Sequence, residues 1–208
     1  MQDLYISFGI FFVICLVLKS LWPRIKGYMG EAVVKMKLSS LDEEKYSLMN
    51  NLVLENSGGS TYSTQIDHLV ISTYGIFSIE TKNYKGLICG SEYGKRWIQN
   101  IHGKKNDFMN PILQNYAHIQ AVKSILRKYY PNMRYFSIVA FSPDAKVKVK
   151  ANDSVICKMS QVSRNIEELS DKEILNPNDL KKIIYLIKEN KINISNREHV
   201  RNIATRQM

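Results

Sequence analysis

Residues 65–83 read Gln65-Ile66-Asp67-His68-Leu69-Val70-Ile71-Ser72-Thr73-Tyr74-Gly75-Ile76-Phe77-Ser78-Ile79-Glu80-Thr81-Lys82-Asn83. Two runs rich in β-branched and aromatic residues flank Thr73-Tyr74-Gly75, and this pattern predicts a tight β-hairpin. Three charged residues, Asp67, Glu80 and Lys82, interrupt these otherwise apolar strands. Their position therefore requires a structural or a chemical reason.

The register of the hairpin decides whether the three charged side chains meet. Residues two apart in a strand share a face, so Glu80 and Lys82 point the same way. A two-residue turn at Tyr74-Gly75 places Asp67 opposite Lys82, on that same face. A three-residue turn centred on Tyr74 places Asp67 on the other face unless a bulge restores the alternation.

Two chemical interpretations of this trio are open from spacing alone. Two carboxylates and a lysine on one face suit a hard divalent cation bound by oxygen, with a cationic group beside an attacking water. The same residues also suit a cross-strand salt bridge on a solvated face, which contributes little to stability. Other features of the sequence are needed to distinguish the metal site from the salt bridge.

The composition predicts one domain with a basic surface. The 208 residues are 45% hydrophobic, which is enough for a buried core. The 29 Lys and Arg exceed the 19 Asp and Glu, and the formal charge of +10 favours polyanionic partners such as nucleic acid or an anionic membrane. Three cysteines without a CxxC pair and four scattered histidines indicate neither a disulfide framework nor a zinc site.

An apolar segment at residues 4–22 predicts a transmembrane helix at the N-terminus. A cleaved signal peptide is the alternative, but Asp3 lies where a basic flank is expected and no small-residue cleavage site follows. Lys19, Arg24 and Lys26 come after the almost wholly apolar run of residues 4–18, so the positive-inside rule predicts a single-pass membrane protein with its C-terminal domain in the cytoplasm.

The remaining chain alternates between strand and helix signals. Helical spacing predicts helices over 27–38, over 110–130 beginning at Asn110-Pro111, and over 178–190. Apolar runs predict further strands at 51–55, 87–90, 96–98, 135–141, 147–149 and 154–157. The tail from residue 191 to residue 208 is polar and basic.

The order helix, three strands, helix, strand resembles the PD-(D/E)xK nuclease superfamily. Within it, Ile66-Asp67-His68 and the run Tyr74 to Gly86, which contains Glu80-Thr81-Lys82, look like the nuclease-related domain, or NERD, family. Gly30-Glu31 before these motifs, and Trp97-Ile98-Gln99 with Asn110-Pro111-Ile112-Leu113-Gln114 after them, are similar too. The resemblance covers residues 27–120.

This resemblance implies a restriction-endonuclease-like αβββαβ core with a mixed central sheet, behind the N-terminal transmembrane helix. It implies Asp67 and Glu80 as ligands of Mg²⁺ or Mn²⁺, and Lys82 as the group that positions or polarises the hydrolytic water. Glu31 and Gln114 are implied as supporting residues of the same catalytic site. Whether Lys82 acts electrostatically or as a general base stays open.

Other candidate residues have structural explanations. His68 adjoins Asp67 but alternation points it to the opposite face, whereas His118 shares a helix face with Gln114 and could reach the site. Trp97 could stack on a base, although packing is the commoner role of such a residue. Lys95, Arg96, Lys104 and Lys105 could follow a phosphate backbone or form a solvated face.

We therefore expect a membrane anchor with a basic segment at residues 1–26, a nuclease core at 27–145, and a C-terminal strand, helix and basic tail at 146–208. The expected function is a membrane-anchored, metal-dependent nuclease that hydrolyses phosphodiester bonds in DNA or RNA. The alternative is a non-catalytic nucleic-acid-binding or scaffold module tethered to the membrane. A third possibility is that the basic tail binds anionic lipid. The sequence gives no oligomeric state.

Overall fold

A computed structural model describes residues 2–56 and 62–192, with the side chains of residues 2–4 and 6–9 outside that description. The predicted tail beyond residue 192 lies outside the described residues. Within them the chain forms the helices α1 (Gln2–Leu38), α2 (Pro111–Leu126), α3 (Val162–Leu169) and α4 (Pro177–Glu189), with a short 3₁₀ helix at Met159–Gln161. The strands are β1 (Tyr46–Glu55), β2 (Ser63–Ser72), β3 (Gly75–Lys82), β4 (Gly86–Cys89), β5 (Arg96–Ile101), β6 (Lys104–Met109), β7 (Tyr135–Phe141), β8 (Ala145–Lys148) and β9 (Ser154–Lys158).

The central sheet has five strands in the order β1-β2-β3-β7-β9. Strands β1, β2 and β3 are antiparallel, while β3, β7 and β9 run parallel to one another. The continuous apolar run of β7 lies inside this sheet, as buried parallel strands usually do. The predicted α/β class with a mixed sheet is therefore confirmed.

Helices cover both faces of the central sheet. On one face, α2 and α4 pack on inward-facing residues of β2 that include Leu69 and Ile71. On the other face, α1 and α3 pack through Val34 and Val162 on a cluster that contains Phe77 of β3. Alternate residues of β3 therefore face opposite helical layers.

A second sheet of four strands, in the order β6-β5-β4-β8, extends from the carboxyl ends of β3 and β7. Its inner face packs Trp97 and Ile88 against Phe141 at the end of β7. The rings of Trp97 and Phe141 are stacked, with centroids 6.2 Å apart. This sheet is inserted between β3 and α2, except for β8, which comes after β7.

The hairpin at residues 65–83 forms with a turn other than the predicted one. Ser72 pairs with Gly75, so the turn residues are Thr73 and Tyr74. The hydroxyl of Ser72 donates to the Gly75 carbonyl and accepts from the Tyr74 N–H, which holds the turn closed. This register, extended by one pair, places Asp67 opposite Glu80 and not opposite Lys82 as predicted. The alternation is preserved because the register is displaced by two residues.

The position of Gly75 at the start of β3 requires a glycine. Its φ of +139° favours glycine, and a Cβ there would meet the Arg134 carbonyl oxygen at 2.7 Å. The chain that leads into β7 thus approaches the hairpin at this point, and Gly75 is the residue that permits the approach. A side chain at this position would collide with a segment that is distant in the sequence.

Helix α1 is one continuous 37-residue helix with Pro23 in its interior. The sequence prediction had divided this stretch into a transmembrane helix at residues 4–22 and a second helix from residue 27. Within the described residues, no helix is long and apolar enough to cross a membrane. The predicted transmembrane helix thus has no support from the structure, and part of it, residues 4 and 6–9, has side chains outside the description.

Several element bounds differ from their predictions. Strand β1 starts at Tyr46, five residues before the strand predicted at 51–55, and α2 ends at Leu126 and not near residue 130. Strand β6 and helix α3 were not predicted, because β6 is almost wholly polar and α3 has only eight residues. Strand β6 pairs with the neighbouring β5, whereas α3 packs on α1 from a distant part of the chain.

Candidate active site

The carboxyl end of β3 carries the candidate site. Glu80 and Lys82 lie on the face of β3 that is turned toward α2, and Asp67 lies on the same face of the neighbouring β2, in step with Leu69 and Ile71. The condition set by the sequence is therefore met: the two carboxylates and the lysine converge on one face.

Lys82 is held between two side chains. Its Nζ donates to Oε1 of Glu80 at 2.6 Å and to Oε1 of Gln114, on α2, at 2.9 Å. The side chains of Lys82 and Glu80 are only 15% and 4% exposed. Burial lowers the pKa of Lys82, but the charge and hydrogen bond of Glu80 outweigh it, so the pKa is raised above its ordinary value. This favours the charged ammonium form over a general base.

The other oxygen of Glu80 faces α2. Oε2 is buried, has no hydrogen-bond partner within the described residues, and lies 3.6 Å from Nδ1 of His118. Gln114 and His118 are one turn apart on α2, and they contact Lys82 and Glu80, two residues apart on β3. Successive turns of α2 therefore lie over successive site residues of β3, and His118 belongs to the site.

Asp67 connects β2 to the end of β3. Its Oδ2 accepts a hydrogen bond from the backbone N–H of Thr81 at 2.8 Å. Burial, and then the negative charges of Glu80 and Glu31, raise the pKa of Asp67 well above its ordinary value, against the opposing effect of the Thr81 N–H and Lys82. Without a cation, this site therefore opposes the ionised form of Asp67.

Glu31 enters from α1 on the other side of the sheet. Burial, followed by the charge of Glu80, raises the pKa of Glu31, while Lys82 lowers it. Gly30 allows α1 to pass close to the end of β3, because a Cβ there would lie 2.8 Å from Cβ of Asn83. The Asn83 amide fixes the crossing by donating to the Lys26 carbonyl at 2.7 Å. Glu31 is thus within electrostatic range of Glu80.

Asn115 is a site-supporting residue that the sequence analysis missed. It is fully buried, accepts from the Ser78 hydroxyl at 2.5 Å, and donates to the Ser78 carbonyl at 2.8 Å. It also donates to the Ser137 hydroxyl at 2.9 Å and the Ile138 carbonyl at 3.2 Å. One signal was available, since Asn115 occupies a position in the apolar stripe of α2 between Ile112 and Ile119.

Two other candidates are structural. His68 points away from the site, with Nδ1 2.6 Å from Oδ1 of Asn50, and burial lowers its pKa to about 4. Trp97 is fully buried, and its Nε1 donates to the Ser91 carbonyl at 2.9 Å, so the ring is not available to stack on a base. Both agree with the structural interpretation of the sequence.

The donor set fits a magnesium or manganese ion. Mg²⁺ is commonly bound by one or two carboxylates and completes its shell with waters and substrate phosphate oxygens. Asp67 and Glu80 supply two carboxylates, and one buried oxygen of Glu80 has no hydrogen bond from residues 2–56 or 62–192. Within the described residues no group of three or more His, Cys, Asp or Glu side chains is arranged to hold a metal. The fit therefore rests on two carboxylates and an unsatisfied oxygen.

Comparison with known proteins agrees with these features. The nuclease-related domain family model, NERD, matches residues 26–142, which is more than half of the chain and contains every site residue named above. The uncharacterized protein pXO1-01 of Bacillus anthracis is 38% identical over 163 residues, which cover 77% of this chain and 74% of that protein. No solved structure matched the chain. The resemblance to the PD-(D/E)xK nucleases is thereby confirmed at the level of the family: the chain belongs to the nuclease-related domain family.

Proposed function

We propose that the protein is a metal-dependent nuclease that hydrolyses phosphodiester bonds in DNA or RNA. The observation that carries this proposal is the convergence of Asp67, Glu80, Lys82 and Gln114 at the end of β3. A surface salt bridge does not explain it, because Lys82 and Glu80 are largely buried and Oε2 of Glu80 has no hydrogen-bond partner in the part of the chain that the structure describes. A buried carboxylate that is incompletely paired lowers the stability of the fold, and such groups occur most often at functional sites.

Each residue of the site has a role in this proposal. Asp67 and Glu80 would hold Mg²⁺ or Mn²⁺, which when bound makes a water more acidic and offsets phosphate charge. Lys82, kept as an ammonium by Glu80 and oriented by Gln114, donates to the attacking water or to a scissile phosphate oxygen. His118 lies beside Glu80, with Nδ1 3.6 Å from Oε2, and Glu31 adds negative charge on the α1 side.

A cleavage assay tests the proposal. The full-length protein is incubated with plasmid, linear DNA and RNA in Mg²⁺, Mn²⁺ or EDTA. We expect metal-dependent cleavage that falls by at least about a hundredfold in Glu80→Gln and in Lys82→Ala. Glu43→Gln makes the same carboxylate-to-amide change at an exposed position and should cleave like the wild type. Equal activity in Glu80→Gln and Glu43→Gln would contradict the proposal.

The second candidate is a nucleic-acid-binding or scaffold module without catalysis. The strongly basic strands that follow the site favour it as the alternative, since binding by lysines needs no metal. It predicts binding that persists in Asp67→Asn and Glu80→Gln, with no cleavage by the wild type in either metal.

Membrane attachment through residues 4–22 and a cytoplasmic domain remain predictions from the sequence. Flotation of the full-length protein with lipid vesicles tests the attachment, with carbonate extraction to separate an embedded helix from surface binding. Protease access to residues 27–208 in sealed membranes tests the orientation.

A further inference from the structure

We propose that the outer face of the β6-β5-β4-β8 sheet binds the phosphate backbone of the nucleic acid and leads it to the candidate active site. This inference deepens the proposed function, because it rests on nucleic acid being the partner of that site. It assigns a role to the inserted sheet, which contributes none of the site residues described above.

The register of the sheet defines the outer face. Trp97 and Ile88 point inward to the hydrophobic cluster, so their neighbours along the strands point outward. One outer row across the four strands is Lys105, Asn100, Leu87 and Lys146. The next outer row is Asp107, Ile98, Cys89 and Lys148.

Lysines thus lie along both edges of this face. Lys105 on β6 and both Lys146 and Lys148 on β8 are exposed. Neighbouring strands are about 4.8 Å apart, so the two edges of a four-stranded sheet are separated by about 14 Å. Lysines at that separation can contact phosphates of one duplex or of one strand that crosses the face. Ile98, 44% exposed, lies between them and offers an apolar contact.

The inserted sheet carries an excess of positive charge. Residues 85–109 and 144–150 contain eight Lys and Arg but only three Asp and Glu, whereas residues 151–192 contain seven of each. One of the three acids, Glu92, is buried and accepts hydrogen bonds from the N–H groups of Asn152 and Asp153. Another, Asp107, is paired with Arg96. The face is therefore complementary to a polyanion.

One end of the outer face lies close to the candidate active site. Strand β4 begins at Gly86, four residues after Lys82, so it starts within about 14 Å of that residue. The row with Lys105 and Lys146 is the one nearer to this end of β4. A backbone bound along the face can therefore continue to the end of β3, whereas a flat lipid surface gains nothing from this proximity.

The test compares two triple variants of the full-length protein with the same net charge. Lys105→Gln/Lys146→Gln/Lys148→Gln alters the face, and Lys172→Gln/Lys181→Gln/Lys188→Gln removes three exposed lysines in and before α4, which packs on α2 and on β2 of the central sheet. Binding to a fluorescent DNA duplex of about 30 base pairs, and to RNA of similar length, is measured in EDTA at about 50 to 200 mM salt. Melting temperatures check that both variants fold.

We expect the face variant to bind at least about tenfold more weakly than the wild type, with a log–log salt slope smaller by about three. The control variant should bind within about twofold of the wild type. Equal losses in the two variants, or unchanged binding in the face variant, would overturn the inference. So would a face variant that loses binding to phosphatidylserine vesicles but keeps its affinity for duplex and RNA.

Cleavage data separate this inference from the proposed function. If the wild type cleaves and the face variant cleaves with unchanged KM, the inference fails while the nuclease stands. If the wild type cleaves nothing but the face variant alone loses binding, the proposed activity fails while the binding face stands.

Discussion

The Asp67 carboxylate accepts the backbone N–H of Thr81 at 2.8 Å, just beyond His68 and Ile79, the last pair of the β2–β3 ladder. A side chain thus replaces the backbone acceptor where the two strands separate. The same carboxylate faces Glu80 in the candidate site. Asp67 therefore has a structural role and a chemical role that substitutions can separate.

Asp67→Asn should preserve the stability of the fold but abolish metal binding. The amide oxygen can still accept the Thr81 N–H, and loss of the negative charge relieves the repulsion by Glu80 that raises the Asp67 pKa. We expect an unchanged or higher free energy of unfolding in EDTA, with loss of metal binding in a calorimetric titration. Asp67→Ala removes the hydrogen bond and should cost about 1–3 kcal/mol. Equal destabilisation by both substitutions would refute this separation of roles.

Asn115→Ala should destabilise the protein strongly, by about 2–4 kcal/mol. The substitution leaves the Ser78 and Ser137 hydroxyls and two buried carbonyls without their partner between α2, β3 and β7. Urea denaturation measures the change. Asn165→Ala, at a half-buried position of α3 where the amide donates to the Gln161 carbonyl, is the comparison and should cost less than about 1 kcal/mol. A cost for Asn115→Ala as small as that of the comparison would contradict the proposed bridging role.

The sequence predicted the parts of the site that depend on local pattern. Alternation within β3 was enough to place Glu80 and Lys82 on one face, and the four-residue spacing of Gln114 and His118 was enough to pair them on α2. The two-residue displacement of the hairpin was not predictable, because it involves Arg134, about 60 positions further along, whose carbonyl lies against Gly75 and accepts the Ile76 N–H. Asn115 had a local signal, but its bonds to β3 and β7 arise only when the helix docks.

The strand pairing of the inserted sheet was still harder to predict from local sequence patterns. Strand β6 has a polar sequence and pairs only because the His102-Gly103 turn, with positive φ at both residues, folds it onto β5. Strand β8 pairs with β4 across more than fifty residues. Patterns of hydrophobicity carry no information about a partner so distant in sequence. The sequence pointed to Lys105 as a possible phosphate contact, but only the register places it on one face with Lys146 and Lys148.

Gly30→Ala should disturb the crossing of α1 over the end of β3, whereas Gly27→Ala should not. A Cβ at Gly30 would lie 2.8 Å from Cβ of Asn83, and nothing lies within 4 Å of one at Gly27. Alanine is also the better helix former by about 1 kcal/mol, so Gly27→Ala should be neutral or stabilising. We expect Gly30→Ala to lower the melting temperature and the cleavage rate together, because it displaces Glu31. A melting temperature for Gly30→Ala at or above that of Gly27→Ala would contradict the close approach.

Lys82→Met should destabilise the metal-free protein by about 3–5 kcal/mol, because Glu80 then remains as a buried carboxylate without its cation. The double variant Glu80→Gln/Lys82→Met removes both charges and should recover much of that loss while remaining inactive. Added Mg²⁺ should raise the melting temperature of Lys82→Met more than that of the wild type, since a bound cation supplies the missing positive charge beside Glu80. The double variant lacks that carboxylate and should respond least. Scanning calorimetry of the three proteins with and without Mg²⁺ measures these differences, and an equal response of the single and double variants would exclude Glu80 as a metal ligand.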